Sequence, residues 1–105
     1  MPAVARKDST DTVASPDGTG KNCASPTTQS TDVGSGDVFA NGIGVVRAGD
    51  PMIGHPEAGD CATHAPGLSS YSSNVYANGK LIGRLGDEYS GHTITSGSPN
   101  VFANS

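Results

Sequence analysis

Five side chains in this sequence could bind a metal ion through nitrogen or sulfur: His55, His64, His92, Cys23 and Cys61. Imidazole and thiolate groups are the ligands that zinc prefers in four-coordinate structural sites. His55 and His92 occupy the same place in two copies of a repeat, each five residues after the aspartate of an Arg-x-Gly-Asp sequence. The pattern predicts that loops from different repeats converge on one zinc ion.

Because the histidines supply three ligands, one of the two cysteines is expected to be the fourth. The short Cys61-x-x-His64 spacing favours Cys61, whereas Cys23 would hold the comparable place in a first repeat whose loop carries an insertion. Both assignments remain open at this point. A Cys23–Cys61 disulfide is the competing interpretation for a protein that works outside the cytoplasm. A site with four protein ligands is closed and structural, and it would contribute folding energy to a domain with a thin core.

An ungapped repeat would position these ligands. Residues 37–55 (DVFANGIGVVRAGDPMIGH) match residues 74–92 (NVYANGKLIGRLGDEYSGH) at a constant offset of 37. In each copy an Asn-Gly pair, Asn41-Gly42 or Asn78-Gly79, separates two short arms with β-forming residues. Asn-Gly favours the type I′ turn of a two-residue hairpin loop. The repeat therefore predicts two β-hairpins, each followed by a turn with a local Arg–Asp salt bridge.

The two chain ends each resemble half of this unit. Residues 97–105 (GSPNVFANS) stop after a first arm, and residues 2–8 (PAVARKD) begin with a second arm and an exit turn. Arg6 and Asp8 lie one residue closer together than the arginine and aspartate of the full repeats. We expect residues 101–104 to pair with residues near 3–6 and to close three repeats into a ring, so that deleting the last five residues should break its base. Frayed termini are the alternative.

Composition and charge restrict the class of protein. No helix-length apolar periodicity occurs among the 105 residues, and 15 Gly and 7 Pro favour turns, so we predict one mainly β domain over residues 1–105. This domain is expected to be pseudo-threefold, with short hairpins and long loops that converge on the metal, and residues 9–33 are expected to form an irregular loop. The net charge of −4 argues against nucleic acid as a partner. No apolar run is long enough for a membrane span or a signal peptide.

The repeated motif resembles that of the PAAR-repeat proteins, the conical tip proteins of contractile phage tails and type VI secretion spikes. The resemblance is carried by GSGDVFANGIGVVRAGD (residues 34–50) and YSSNVYANGKLIGRLGD (residues 71–87), and by the terminal halves. It covers nearly the full chain. The Pro-Ala-Ala-Arg tetrad itself is degenerate here and reads AVAR, GVVR and LIGR.

The resemblance implies a small cone whose three-sided base sits on the blunt end of a trimeric β-helical spike protein, with one tip per trimer. It also implies a metal near the apex, zinc in preference to iron, held by His55, His64, His92 and one cysteine. Such a tip would pierce the outer membrane of a target cell in transient contact and would have no enzymatic activity. It would belong to the central spike of a virion's tail baseplate or leave the cell with a type VI spike. This chain has no room for an effector domain and is expected to be a bare tip.

Two other functions are compatible with the sequence. A zinc hydrolase would need a general base near the metal, for which Glu57 and Asp60 are the candidates. A secreted binding module stapled by a disulfide would need Cys23 and Cys61 to be paired.

Overall fold

The computed structural model describes residues 2–19, 27–57 and 61–103. These residues form short β-strands and one 3-10 helix, with no α-helix among them, which confirms the mainly β fold. The strands are β1 (Thr12–Ala14), β2 (Thr28–Ser30), β3 (Phe39–Ala40), β4 (Ile43–Gly44), β5 (His55–Pro56), β6 (Thr63–His64), β7 (Tyr76–Ala77), β8 (Lys80–Leu81), β9 (Glu88–Tyr89) and β10 (His92–Ile94), and the 3-10 helix is Pro16–Thr19. No described helix is long and apolar enough to cross a membrane.

Both Asn-Gly sequences form the turns of β-hairpins, as predicted. Strand β3 pairs antiparallel with β4, and β7 pairs antiparallel with β8. The φ angles are 56° at Asn41 and 55° at Asn78, and the glycine that follows each has a φ of 76°. A type I′ turn requires positive φ at both central residues, which asparagine and glycine tolerate at low cost.

The two chain ends form a third hairpin-like pair. Ala3 forms an antiparallel bridge with Phe102, and the amide of Val4 donates a 2.9 Å hydrogen bond to the carbonyl oxygen of Val101. The amide of Ala103 continues the pairing with a bond to the opposite arm at 3.0 Å. The predicted closure of the chain by its own termini is therefore confirmed.

Backbone bridges join the three hairpins into a ring. In each bridge, the arginine at the end of one repeat pairs with an apolar residue in the second arm of another. The three bridges are Arg6–Val45, Arg47–Ile82 and Arg84–Val4. Because these positions are equivalent in the three repeats, the ring has the expected pseudo-threefold arrangement.

The buried apolar side chains form two clusters that follow the period of the strands. The ring core consists of repeat-equivalent residues from the three hairpins: Val4, Ala40, Val45, Ala77, Ile82 and Ala103. The inner core consists of Ala5, Val13, Val46, Met52, Leu68, Tyr89 and Ile94. Successive residues of a strand point to opposite sides, so Val45 packs in the ring core and Val46 in the inner core. The whole body is small and elongated, with extents of 39 × 23 × 22 Å.

A buried serine begins the first arm of each hairpin. Its hydroxyl oxygen accepts hydrogen bonds from the amides two and three residues later, which shapes the turn into the arm. The three serines are Ser35, Ser72 and Ser98. Two of them also donate to the asparagine of another hairpin's turn, Ser35 to Asn78 and Ser98 to Asn41, each at 2.6 Å. These polar contacts tie neighbouring repeats together.

The Arg–Asp salt bridges predicted at the exits of the two full repeats are present, and the first repeat forms a comparable pair with a different aspartate. Arg47 pairs with Asp50, and Arg84 with Asp87. Arg6, however, pairs with Asp11 at 2.9 Å and not with Asp8. Asp8 and the residue after it have φ angles of 60° and 61°, so the chain makes a longer turn before an aspartate reaches the guanidinium.

The prediction of an irregular loop over residues 9–33 is wrong for β1, the 3-10 helix and β2, and residues 20–26 of that stretch lie outside the described residues. It contains β1 and β2, which join a four-stranded sheet in the order β2-β1-β10-β9. Val13 of β1 lies opposite Ile94 of β10, and both side chains belong to the inner core. One partner of β1, the strand β10, is about eighty residues away in the sequence, so local patterning gives no sign of that pairing.

Candidate metal centre

A β-hairpin brings the first two histidines face to face. His55 in β5 lies directly opposite His64 in β6, and their Nε2 atoms are 2.9 Å apart. The hairpin closes through a hydrogen bond from the amide of Glu57 to the carbonyl oxygen of Ala62 at 2.8 Å. The two imidazoles therefore meet because of cross-strand register, which places opposite side chains on the same face.

His92 reaches the same point from the four-stranded sheet. It begins β10, and its Nε2 atom lies 3.2 Å from Nε2 of His55, the residue 37 positions earlier. The two histidines are repeat-equivalent, so the repeat accounts for their meeting. The predicted convergence of His55, His64 and His92 is observed.

A carboxylate supplies the fourth donor. Asp17 lies in the first turn of the 3-10 helix, and its Oδ2 atom is 2.7 Å from Nε2 of His55, 2.7 Å from Nε2 of His64 and 2.8 Å from Nε2 of His92. The side chain of Asp17 is buried, and its amide donates to the hydroxyl of Ser15. These four residues form the group that could hold a metal ion.

Backbone carbonyls fix the tautomers of two of the histidines. Nδ1 of His55 lies 2.9 Å from the carbonyl oxygen of Ile53, and Nδ1 of His92 lies 2.9 Å from the carbonyl oxygen of Tyr89. Because a carbonyl oxygen only accepts, Nδ1 carries the hydrogen in both rings. Nε2 of each neutral ring then directs a lone pair toward the centre of the group.

These acceptor atoms face one another with a carboxylate oxygen among them, at separations of 2.7–3.2 Å. Lone pairs at such distances repel unless a cation lies between them. A proton on one nitrogen can bond to a single neighbour, whereas a metal ion takes a lone pair from every donor. The geometry therefore fits a metal ion better than it fits a network of hydrogen bonds.

The donor set suits a first-row metal. Four donors that each lie about 2 Å from a tetrahedral zinc ion are about 3.3 Å apart. Five separations among the four donor atoms are 2.7–3.2 Å, slightly shorter than this value. Imidazole nitrogen and carboxylate oxygen are both ordinary zinc ligands, and neither is soft enough to demand a thiolate partner.

The structure does not place Cys61 among the donors, although one of the two cysteines was expected to be the fourth ligand. Cys61 is disulfide-bonded and exposed, and it is not among the clustered donors. A sulfur in a disulfide has no thiolate lone pair to give to a metal. Asp17 stands where a cysteine was expected. Cys23, the other cysteine of the sequence, lies outside the described residues.

One signal in the sequence could have found Asp17. Asp17 follows Asp11 by six residues, close to the five residues that separate each full repeat's aspartate from its histidine. Matching Asp8 instead of Asp11 to the exit aspartate of the full repeats conceals this spacing. Restricting the candidate ligands to histidine and cysteine hides it again, because carboxylates are also zinc ligands.

Of the two carboxylates considered as a general base, the structure describes the position of one. Oε2 of Glu57 lies 3.6 Å from Nδ1 of His64, on the side of the ring opposite the clustered donor atoms. Asp60 lies outside the described residues.

No protein-family model matches this chain, and no curated protein matches it significantly. Its function must therefore be inferred from the donor group and from the exposed surface of the ring.

Proposed function

We propose that this protein is the structural tip of a contractile injection spike. One chain caps the blunt end of a trimeric β-helical spike protein and sharpens it for piercing a membrane. In this role the protein catalyses no reaction, binds no nucleic acid, and touches the target cell's outer membrane only in passing.

The observation that carries the proposal is a set of three exposed aromatic side chains at repeat-equivalent positions. Phe39, Tyr76 and Phe102 are 56, 61 and 49 % exposed. Each lies in the first arm of its hairpin, directly before an alanine that is buried in the ring core. Large aromatic side chains that repeat on one surface are typical of a site that a partner covers.

The placement of these aromatic residues suggests the symmetry of the partner. Each of the three hairpins contributes one, and the hairpins form a ring, so one chain presents three similar surfaces about one axis. A homotrimer presents three identical surfaces about its own axis. A single tip on a trimer satisfies all three contacts, whereas a monomer or a dimer leaves at least one aromatic side chain exposed. The same contact would cover the open edges of the short hairpins.

The donor group supports a stiffening role. Asp17, His55, His64 and His92 come from three separate parts of the chain, and zinc held among them would crosslink those parts. Four protein ligands make a closed site of the structural kind. In a domain of 105 residues, binding of the ion would add directly to the free energy of folding. Zinc is proposed in preference to iron.

The test needs a candidate partner, for which we would take any trimeric β-helical spike protein encoded near the gene of this chain. Native mass spectrometry of the purified mixture should give a complex of one tip and three spike chains. Replacing Phe39, Tyr76 and Phe102 together with serine should abolish the complex. Leu85→Ser is the matched control, because Leu85 is also a large exposed apolar residue but lies outside the aromatic set. It should leave the complex intact.

Three results would refute the proposal: three tips per trimer, no binding to the spike protein, or binding that survives the triple replacement. The proposal places the protein in the central spike of a phage tail baseplate or on a type VI secretion spike. Immunodetection in purified virions and in secretion supernatants separates these two settings.

A further inference from the structure

The four donors of the metal group differ in their access to solvent. The side chains of His55, His92 and Asp17 are 2, 4 and 7 % exposed, whereas that of His64 is 26 % exposed. A ligand that leaves a metal must rotate its side chain out of the site, and a buried ring has to displace packed neighbours to do so. His64 is therefore the donor that can move at the lowest cost.

The donors also differ in what holds them in place. Nδ1 of His55 and Nδ1 of His92 are bonded to main-chain carbonyls, which the strands fix. Nδ1 of His64 instead faces Oε2 of Glu57 at 3.6 Å, and the side chain of Glu57 is 43 % exposed. Among the described residues, Nδ1 of His64 thus has a carboxylate side chain beside it where the other two rings have a main-chain carbonyl.

Glu57 is well placed to act on His64. The amide of Glu57 bonds to the carbonyl oxygen of Ala62, and the amide of Cys61 bonds to the carbonyl oxygen of Glu57. These bonds anchor the backbone of Glu57 inside the hairpin that carries His64, so its carboxylate remains within reach of the ring. A histidine that binds a metal usually donates its other N–H to a carboxylate or a carbonyl, which orients the ring and strengthens its lone pair.

We propose that Glu57 is the positioning residue for His64, and that the metal enters and leaves the site past this pair. The inference rests on the proposed metal centre and adds to it the direction of exchange and the residue that controls it. The Glu57 carboxylate approaches His64 at Nδ1 and not at the donor atom Nε2, so its loss should leave the four donor atoms unchanged. It weakens the hold of one ligand.

The experiment measures the release of Co²⁺ from the full chain, since the visible spectrum of bound Co²⁺ reports the donor set. Protein loaded with Co²⁺ is mixed with excess chelator, and the loss of the visible bands gives the rate of release. Four proteins are compared: wild type, Glu57→Ala, Glu57→Gln and Glu88→Ala. Glu88 is the other glutamate of the sequence and is also exposed, so its variant is the matched control.

Glu57→Ala is expected to bind Co²⁺ about 10–100-fold more weakly, chiefly through faster release, as for other outer carboxylates of metal sites. Its Co²⁺ spectrum and its unfolding transition without metal should match those of the wild type. Glu57→Gln should be intermediate, because its amide oxygen still accepts a hydrogen bond but carries no charge. Glu88→Ala should release the ion at the wild-type rate.

Release from Glu57→Ala at the wild-type rate would overturn this inference and leave the metal centre standing. An altered Co²⁺ spectrum in Glu57→Ala would also overturn it, since Glu57 would then be a ligand. Failure of the wild type to bind Co²⁺ or Zn²⁺ would overturn the metal centre itself, and this inference with it.

Discussion

Closure of the ring by the chain termini can be tested with two neighbouring substitutions. Ala103 lies in the ring core among aliphatic side chains, whereas Phe102, the preceding residue of the same arm, is half exposed. Ala103→Asp would place a carboxylate in this apolar cluster, and Phe102→Asp would place the same group in water. The two variants therefore introduce the same negative charge, one at a buried position and one at a half-exposed position.

The expected magnitude follows from the cost of burying the charge. A carboxyl group with a usual pKa of about 3.9 must be protonated to enter an apolar cluster at pH 7, which costs about 4 kcal/mol at about 1.4 kcal/mol per pH unit. If the terminal arm detaches instead, the loss is limited to the stability that closure provides. Ala103→Asp should therefore lower the free energy of unfolding by about 2–4 kcal/mol, and Phe102→Asp by less than about 1 kcal/mol, typical of an exposed position.

Urea denaturation of the metal-free protein, followed by tyrosine fluorescence, measures the free energy of unfolding of both variants. The slope of this free energy against urea concentration should be the same for the two variants. A difference of less than about 0.5 kcal/mol between the two variants would mean that the terminal arm is not packed in the ring core. The ring would then be open, and the pseudo-threefold surface on which the proposed function depends would not exist.

Three further changes test other parts of the structure. Tyr89→Phe should stabilise the protein by about 1 kcal/mol at pH 7, because the buried Tyr89 hydroxyl has no hydrogen-bond partner among the residues that the structure describes. Burial and nearby aspartates raise the pKa of Tyr89. Above about pH 10 only the unfolded tyrosine ionises, so the wild type should lose stability there, and Tyr89→Phe should lack this part of the decline. Equal stability of the two proteins at pH 7 would contradict the buried, unpaired hydroxyl. Gly44→Ala should lower the free energy of unfolding by about 3 kcal/mol, since a Cβ there would clash with the carbonyl oxygen of Ser35. Gly36→Ala should be nearly neutral, because a Cβ there would meet no described atom within 4 Å. Thermal melts compare the two variants, and similar midpoints would refute the close approach at Gly44. Cys61→Ser should lower the free energy of unfolding by about 2–4 kcal/mol, because it removes a disulfide. The mass of the native wild-type chain should correspond to cysteines that are oxidised, and free thiols in native protein would refute the disulfide.

The parts of the fold that the sequence predicts are those with local signals. Asn41-Gly42 and Asn78-Gly79 tolerate positive φ at adjacent residues, which the common two-residue hairpin turn requires. The offset of 37 between His55 and His92 places both histidines at equivalent points of a symmetric ring, so their meeting follows from the repeat. The pairing of Ala3 with Phe102 follows because each chain end is half of the same unit.

The parts that the sequence does not predict depend on distant partners. Strand β1 has a single buried apolar residue, Val13, and its pairing with β10 joins residues far apart in the chain. Asp17 becomes a donor only because a longer turn after Arg6 shifts the first repeat by several residues. That shift depends on the left-handed conformations of Asp8 and Ser9, which the sequence alone does not announce.

The most direct test of the central claim is a titration of the metal-free chain with Zn²⁺, followed by native mass spectrometry. The wild type should take up one ion per chain, and Asp17→Ala and His92→Ala should each lose most of this binding at the same zinc concentration. No bound zinc in the wild type, or unchanged uptake by both variants, would contradict a metal held among Asp17, His55, His64 and His92.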